Sequence, residues 1–250
     1  MKPNEIAVCG LPAVRALFAR EAAAIQRLYF DYPTGRRIGV MCRALAAARR
    51  IYRCVEPAEL EKIAGTVHHG GIVAVIAARA WRAPGPEDLR RWARGREPLL
   101  LLDRIGNAHN LGAIVRTAAF FGVGRIVIPD DPEQAQPGDA TYRVAEGGMA
   151  HVEFYRVPSL PEFIGAARPF YEVIGAAVRG AAPLGAPSKK PVALVLGNEE
   201  TGLAAGVAAA CDRLVRIPGG GAVESLNVAA AAAILLHHYF GRASPAPPAQ

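Results

Sequence analysis

Three short stretches of this 250-residue chain carry the residue types from which a polar ligand site is built, and each follows an apolar run that reads as a strand. The first is Asp103-Arg-Ile-Gly-Asn-Ala-His-Asn-Leu-Gly-Ala-Ile-Val-Arg116. The second is Leu196-Gly-Asn-Glu-Glu-Thr-Gly-Leu203, where two glycines bracket two carboxylates and let backbone approach a flat ligand closely. The third is Arg216-Ile-Pro-Gly-Gly-Gly-Ala-Val-Glu-Ser-Leu-Asn-Val228. Its Ser225 stands where an Ala-rich helix is expected to open, a good N-cap at a helix end that attracts anionic or polar groups. Any one loop alone reads equally as a tight turn with a cap. Three of them at the carboxyl ends of parallel strands, where ligands bind in α/β folds, read as a site.

The same loops exclude several chemistries. None is G-x-G-x-x-G, so a dinucleotide fingerprint is missing where it should occur; G-x-x-x-x-G-K-[ST] and G-x-S-x-G are missing as well. Phosphate-loop ATPases and α/β-hydrolases are thereby set aside. Cys9, Cys42, Cys54 and Cys211 form no C-x-x-C pair, and His68–His69 and His237–His238 are adjacent rather than four apart, so no metal site is expected. Dispersed thiols of this kind suit a reducing, cytoplasmic setting. The longest apolar runs reach about half of the roughly 20 residues a bilayer span needs. Met1–Gly10 has no long apolar core, so neither a membrane helix nor a signal peptide is expected.

The elements that must hold these loops follow from periodicity. From Pro98 the pattern repeats strand then helix. Strands are expected at Leu99–Leu102, Arg125–Pro129, His151–Val157, Tyr171–Val178, Val192–Leu196 and Leu214–Ile217, and helices at Leu111–Phe121, Leu160–Ala167, Leu203–Cys211 and Leu226–Phe240. Continuous apolar strands between helices imply a mostly parallel sheet covered on both faces. The first 80 residues read as a separate, smaller α/β module. Its helices are expected at Pro12–Ala24, Ile38–Arg50 and Pro57–Ala64, and its strands at Gln26–Phe30, Ile51–Val55 and Gly71–Ala78. The expected organisation is therefore 1–80, a basic linker over 81–97 with one or two helical turns in its second half, a domain over 98–241, and a disordered Pro-rich tail over 242–250.

Charge separates these parts. Residues 1–97 hold 17 Lys/Arg against 9 Asp/Glu, while residues 98–250 hold 12 against 13. The excess suggests a polyanion-binding module joined to a nearly neutral one. Almost all the cations are Arg, whose planar fork suits phosphate, although a GC-rich genome would favour Arg over Lys too. In the linker, Arg90, Arg91 and Arg94 are interleaved with Trp81 and Trp92. Those tryptophans either stack on bases or pack on a neighbouring domain.

Taken in order, N-x-G-x-I-x-R-T-A (Asn110 to Ala118), G-N-E-x-x-G-L (Gly197 to Leu203) and I-P-x-x-G-x-x-x-S-L-N-V (Ile217 to Val228) resemble the three motifs of SpoU/TrmH-type RNA 2′-O-ribose methyltransferases, within the SPOUT superfamily. The resemblance covers about residues 98–241. The first 80 residues resemble, more loosely, the L30e-like substrate-binding domain that often precedes this domain, with His69 to Ala74 (HGGIVA) in place of its signature. The resemblance implies a trefoil-knotted α/β SPOUT sheet, where periodicity alone implies an unknotted one. It further implies a pocket for S-adenosyl-L-methionine in the knot loops, a tRNA or rRNA substrate and a homodimer, with no metal and no membrane.

Carried over residue by residue, the match assigns cofactor contacts to Leu196, Gly197, Ile217 and Leu226. It places Arg116, Asn110, Glu199, Ser225 and Asn227 in the catalytic set. Arg116 matches the arginine proposed in the family to activate the ribose hydroxyl. A guanidinium is a poor base at neutral pH, so binding the adjacent phosphate and stabilising the developing alkoxide is the physically preferred role. Glu199 is expected to orient loops or Arg116, Asn110 to cap the helix carrying Arg116, and Ser225 and Asn227 to position the ribose or the Arg, with capping alone an alternative for Ser225. Asn107-Ala108 and Gly219-Gly220-Gly221 depart from the usual flanking residues, and Glu146-Gly147-Gly148 is a further candidate for touching RNA. The alternative function is a catalytically inactive RNA-binding protein on the same scaffold, acting in assembly. The presence of Arg116, Glu199 and Asn227 favours the enzyme.

Overall fold

The run LLLLD at Leu99–Asp103 is buried at every position, which a strand tolerates only when both faces of its sheet are covered. A computed structural model, describing residues 4–186 and 189–241, places this strand inside a seven-stranded sheet. In chain order the first elements are β1 (Glu5–Cys9), α1 (Leu11–Glu21), β2 (Arg27–Phe30), α2 (Tyr32–Gly35), α3 (Gly39–Ala47), β3 (Ile51–Cys54), α4 (Pro57–Ala64) and β4 (Ile72–Ala77). Next come α5 (Pro86–Arg94), β5 (Leu99–Asp103), α6 (Ala108–Phe120), β6 (Arg125–Pro129), α7 (Asp139–Val144), β7 (Glu153–Val157) and α8 (Leu160–Ala167). The last are β8 (Glu172–Ala176), β9 (Ala182–Pro183), β10 (Val192–Gly197), α9 (Ala205–Ala210), β11 (Arg213–Arg216) and α10 (Val228–Phe240).

The chain divides into two units, one of residues up to Ala80 with Pro137–His151, the other of Trp81–Gln136 with Val152 onward. In the second unit the strand order is β7-β6-β5-β10-β8-β11-β9, and every pairing is parallel. The three motif-bearing strands are β5, β10 and β11. β5 and β10 are immediate neighbours, with Leu102 opposite Leu196 and Asp103 opposite Gly197, so their exit loops leave the sheet side by side. Leu99 and Leu101 face a core with Leu89 and Trp92 of α5, Phe163 and Ile164 of α8, and Val207 of α9. α10 packs on α6 and on β10. Each fully buried leucine in such a core contributes about 2 kcal/mol.

In the first unit the sheet order is β1-β4-β2-β3, antiparallel except for the β2–β3 pair. β1, α2 and α7 are additions to the elements expected from periodicity. Residues 137–151, expected in the 98–241 domain, pack with the first unit. Asp139 Oδ1 accepts from the backbone N–H of Ala7, at 2.8 Å, on the free edge of β1. Pairing of that kind closes a strand edge that would otherwise be open. Burial raises the Asp139 pKa above its ordinary value. Gly147, at φ +98°, sits against α1, where an added Cβ would lie only 3.0 Å from that of Ala16.

Residues 81–97, expected as a linker, fold with the second unit. Trp92 is fully buried, edge-on to Tyr155 at 4.9 Å between ring centroids, with the Arg125 guanidinium 4.9 Å from its ring. Trp81 lies 5.5 Å from Phe154. Both tryptophans pack within the protein, which settles the choice left open by the sequence. The expected tail over 242–250 lies outside the described residues. Among the described residues no helix is long and apolar enough to cross a membrane.

Candidate active site

The first exit loop reverses one expectation at once. Asn107, not Asn110, caps α6: its Oδ1 accepts from the N–H groups of His109, at 2.8 Å, and Asn110, at 3.4 Å. A cap must sit just outside the first helical turn to reach those groups, and Asn110 already lies within it. The Asn110 side chain therefore projects from the first turn. Its Nδ2 donates to Glu199 Oε1 at 2.5 Å, and its Oδ1 accepts from Asn227 Nδ2 at 3.1 Å.

That pair of bonds joins all three motif loops. The polarity is fixed by chemistry, because an ionised carboxylate only accepts. Glu199 thus turns the Asn110 nitrogen toward itself and leaves the Asn110 oxygen for Asn227. Asn227 in turn uses its own Oδ1 to cap α10, accepting from Ala229 N at 2.9 Å and Ala230 N at 3.4 Å. The helix consequently begins at Val228, and Ser225, expected as its cap, lies two residues short and exposed.

The second loop is pinned from below by residues the sequence reading did not single out. Asp103, 3% exposed at the end of β5, accepts from Ala204 N through Oδ2 at 2.6 Å and from Arg104 Nε through Oδ1 at 3.2 Å. Arg104 has the left-handed φ of 57°. Its Nη2 donates to Gly202 O at 3.3 Å, and its carbonyl accepts from Asn198 Nδ2 at 2.8 Å. Asn198 also accepts from Glu200 N and Thr201 N, at 2.9 and 3.1 Å, and exchanges backbone bonds with Gly202. Gly197 is obligatory here, since an added Cβ would lie 2.4 Å from the Gly202 carbonyl carbon. A carboxylate closing an otherwise wholly apolar strand was the available signal for Asp103, because a buried charge needs partners.

The remaining expected residues fall around this frame. Leu196 is buried at the end of β10, and Ile217, half-buried, directly follows β11. Leu226 is 45% exposed. From Gly219 to Leu226 the backbone makes no hydrogen bond to other backbone among the described residues. Unpaired backbone donors and acceptors beside apolar side chains are what the edges and faces of a nucleoside base require. Arg116 lies further along α6 and is exposed. Among the described residues no group of three His, Cys, Asp or Glu side chains is placed to hold a metal ion.

Comparison with known proteins identifies the family. The SpoU rRNA Methylase family matches residues 97–237, and a family described as RNA 2′-O ribose methyltransferase substrate binding matches residues 7–81. The chain is 32% identical over 246 residues to the "Uncharacterized tRNA/rRNA methyltransferase YfiF" of Escherichia coli O157:H7, covering 96% of this chain and 69% of that protein. It is 32% identical to the 23S rRNA (guanosine-2′-O-)-methyltransferase RlmB of Nitrosomonas europaea, covering 93% of this chain and 90% of that one. The crystal structure of the SpoU methyltransferase AviRb from Streptomyces viridochromogenes in complex with AdoMet superimposes with a TM-score of 0.73 at 25% identity, over 96% of this chain and 90% of that one. With the family matched over more than half its length and the substrate-binding family matched ahead of it, the chain belongs to the SpoU rRNA methylase family.

Proposed function

We propose that this protein transfers a methyl group from S-adenosyl-L-methionine to a ribose 2′-hydroxyl of RNA, with ribosomal RNA as the substrate class. The observation that carries the reading is the Asn227–Asn110–Glu199 hydrogen-bond chain, which draws three loops distant in sequence into one site. When bound, the cofactor supplies an electrophilic methyl group on a sulfonium. Leu196, Gly197, Ile217 and Leu226 would hold it, with the unpaired backbone of the third loop reading the adenine edge.

The protein's own residues then have separable tasks. Arg116, a permanent cation, binds the phosphate next to the target ribose and stabilises the alkoxide as the hydroxyl loses its proton. Asn110 and Glu199 hold the first and second loops in register, so that hydroxyl and methyl donor meet in line. Asn227 orients the third loop and the start of α10, and Ser225 faces the ribose from that loop.

The SPOUT knot and a homodimer belong to the same proposal. Phe120 on α6 is 80% exposed, and Ile234 on α10 is exposed as well. An apolar patch on two helices that pack on each other suits a second copy of the chain. The cytoplasm is the proposed location, with the first unit, which includes Pro137–His151, as substrate-binding domain and the second, which begins at Trp81, as catalytic domain.

The test is to incubate the protein with total RNA and cofactor labelled in its methyl group, then hydrolyse in alkali. A 2′-O-methyl blocks cleavage of its own phosphodiester, so the label is expected in alkali-stable dinucleotides. Label in mononucleotides, or none despite cofactor binding, would overturn the reading.

A further inference from the structure

The basic residues singled out by sequence in the former linker are largely spent within the protein. Asp88 receives Arg82 and Arg91, each at 2.6 Å, and Arg90 pairs with Glu87. Unneutralised charge lies elsewhere. Between Tyr32 and Val55 the chain has six arginines (Arg36, Arg37, Arg43, Arg49, Arg50 and Arg53) and no Asp or Glu. All six are exposed, and among the described residues none has a carboxylate within ion-pair distance.

Local structure spreads these cations along one border of the first unit. Arg36 and Arg37 precede α3. Arg43 folds back along it, with its guanidinium 3.6 Å from the Cβ position of Gly39. Arg49 and Arg50 form the turn into β3, which is the edge strand of its sheet and exposed at all four positions. Apolar surface is left in solvent among them: Tyr32 is 74% exposed, Val40 66% and Tyr52 40%. Cations guarding an open strand edge would explain Arg53. They do not explain Arg36 and Arg37 before α3, Arg43 on it, or the exposure of Tyr32 and Tyr52.

We infer that the α3–β3 border of the first unit is the RNA-docking face, its arginines contacting backbone phosphates and Tyr32 and Tyr52 stacking on unpaired bases. Charge complementarity selects a polyanion, and aromatic faces interleaved with arginine select single-stranded nucleic acid over a protein strand. The proposal deepens the reading of the chain as an RNA methyltransferase, taking from it only the identity of the polyanion.

The experiment measures fluorescence anisotropy of a labelled RNA hairpin with an unpaired loop, titrated with full-length protein across a salt series. Arg36→Gln/Arg37→Gln/Arg43→Gln is expected to make the log–log salt dependence shallower by about 2, from three phosphate contacts at about 0.7 each. Arg90→Gln/Arg91→Gln/Arg94→Gln should change it by less than about 1. Tyr32→Ala/Tyr52→Ala should weaken binding about tenfold with the salt slope retained. An unchanged far-ultraviolet circular dichroism spectrum and thermal unfolding profile show that each variant is folded. An unchanged slope in the first variant, or a larger loss in the second, would overturn the assignment and leave the β3 edge to a protein partner. Binding is read without methyl transfer, so a wild-type protein that binds RNA through this face yet leaves ribose unmodified would sink the proposed activity alone.

Discussion

Asn227 Nδ2 donates to Asn110 Oδ1 at 3.1 Å, tying the start of α10 to the first turn of α6 across 117 positions of sequence. The bond's direction is set at both ends, by Glu199 turning Asn110 and by the α10 N–H groups holding the Asn227 oxygen. A primary amide in isolation presents oxygen or nitrogen equally well; a carboxylate beside it removes that freedom. Asn110→Ala removes both bonds and lets three loops drift. Displacements of about 1 Å at reacting groups cost on the order of 100-fold, so kcat/KM for methyl transfer is expected to fall by about that much. Glu199→Gln should fall less, because a glutamine can still accept through its oxygen, and Asn110→Asp more, because it sets two carboxylates together. The order Asn110→Asp below Asn110→Ala below Glu199→Gln in initial rates is the check.

Arg116 is expected to act on the hydroxyl and its neighbouring phosphate and not on the cofactor. Arg116→Ala should abolish detectable transfer while cofactor affinity by calorimetry stays within a few-fold. Arg116→Lys keeps the charge but loses the planar fork, and is expected to recover only a small part of the rate. A fully active Arg116→Ala protein would refute the role.

Gly197 lies where β10 turns back on itself. The added methyl of Gly197→Ala would meet Gly202 and Leu203 backbone atoms at 2.4–2.6 Å, none of which can swing aside like a side-chain tip. The loop must open, at about 1–3 kcal/mol, the range for overpacking a tight site. Thermal unfolding should report the lost stability, and cofactor affinity should fall with it because Leu196 and Gly197 border the same loop. A variant with lowered Tm and unaltered cofactor affinity would separate the loop from the binding role.

Strand and helix periodicity was enough to place most of the second unit. Arg125–Pro129 and Leu160–Ala167 were read to the residue, since apolar runs bounded by Gly, Pro or Ser leave little freedom in their ends. The site was legible as three loops but not as a network. Asn110 and Ser225 were both read as caps, and both cap roles belong to asparagines two or three residues away. Capping depends on where the first turn closes, and periodicity fixes that only to within a turn. Trp92, flanked by arginines, is open in the sequence to either stacking on a base or packing; Arg90 and Arg91 pair with Glu87 and Asp88 of α5, and the indole turns inward. Residues 137–151 were misplaced because Asp139 finds its partner, Ala7, 132 positions away, beyond any local pattern.

Asp88 gives the second unit a defined sensitivity to acid. Its carboxylate accepts from Arg82, Arg91 and the Gly85 N–H, and the hydrogen bond from Arg82, with that cation's charge, holds its pKa well below the ordinary carboxylate range. A depressed folded-state pKa contributes stability that is complete above the unfolded value near 4 and is lost as pH falls toward the folded one. At pH 7 Asp88→Asn should therefore destabilise the protein, by about 1–3 kcal/mol for charge-assisted bonds to a largely buried side chain. Below about pH 4 the wild type begins to lose that contribution, so the gap between the two melting temperatures should narrow steadily as pH falls. Unfolding of both proteins from pH 7 to pH 3 provides the measurement. A gap that stays constant through the acid range would mean that Asp88 acts through its shape and not its charge.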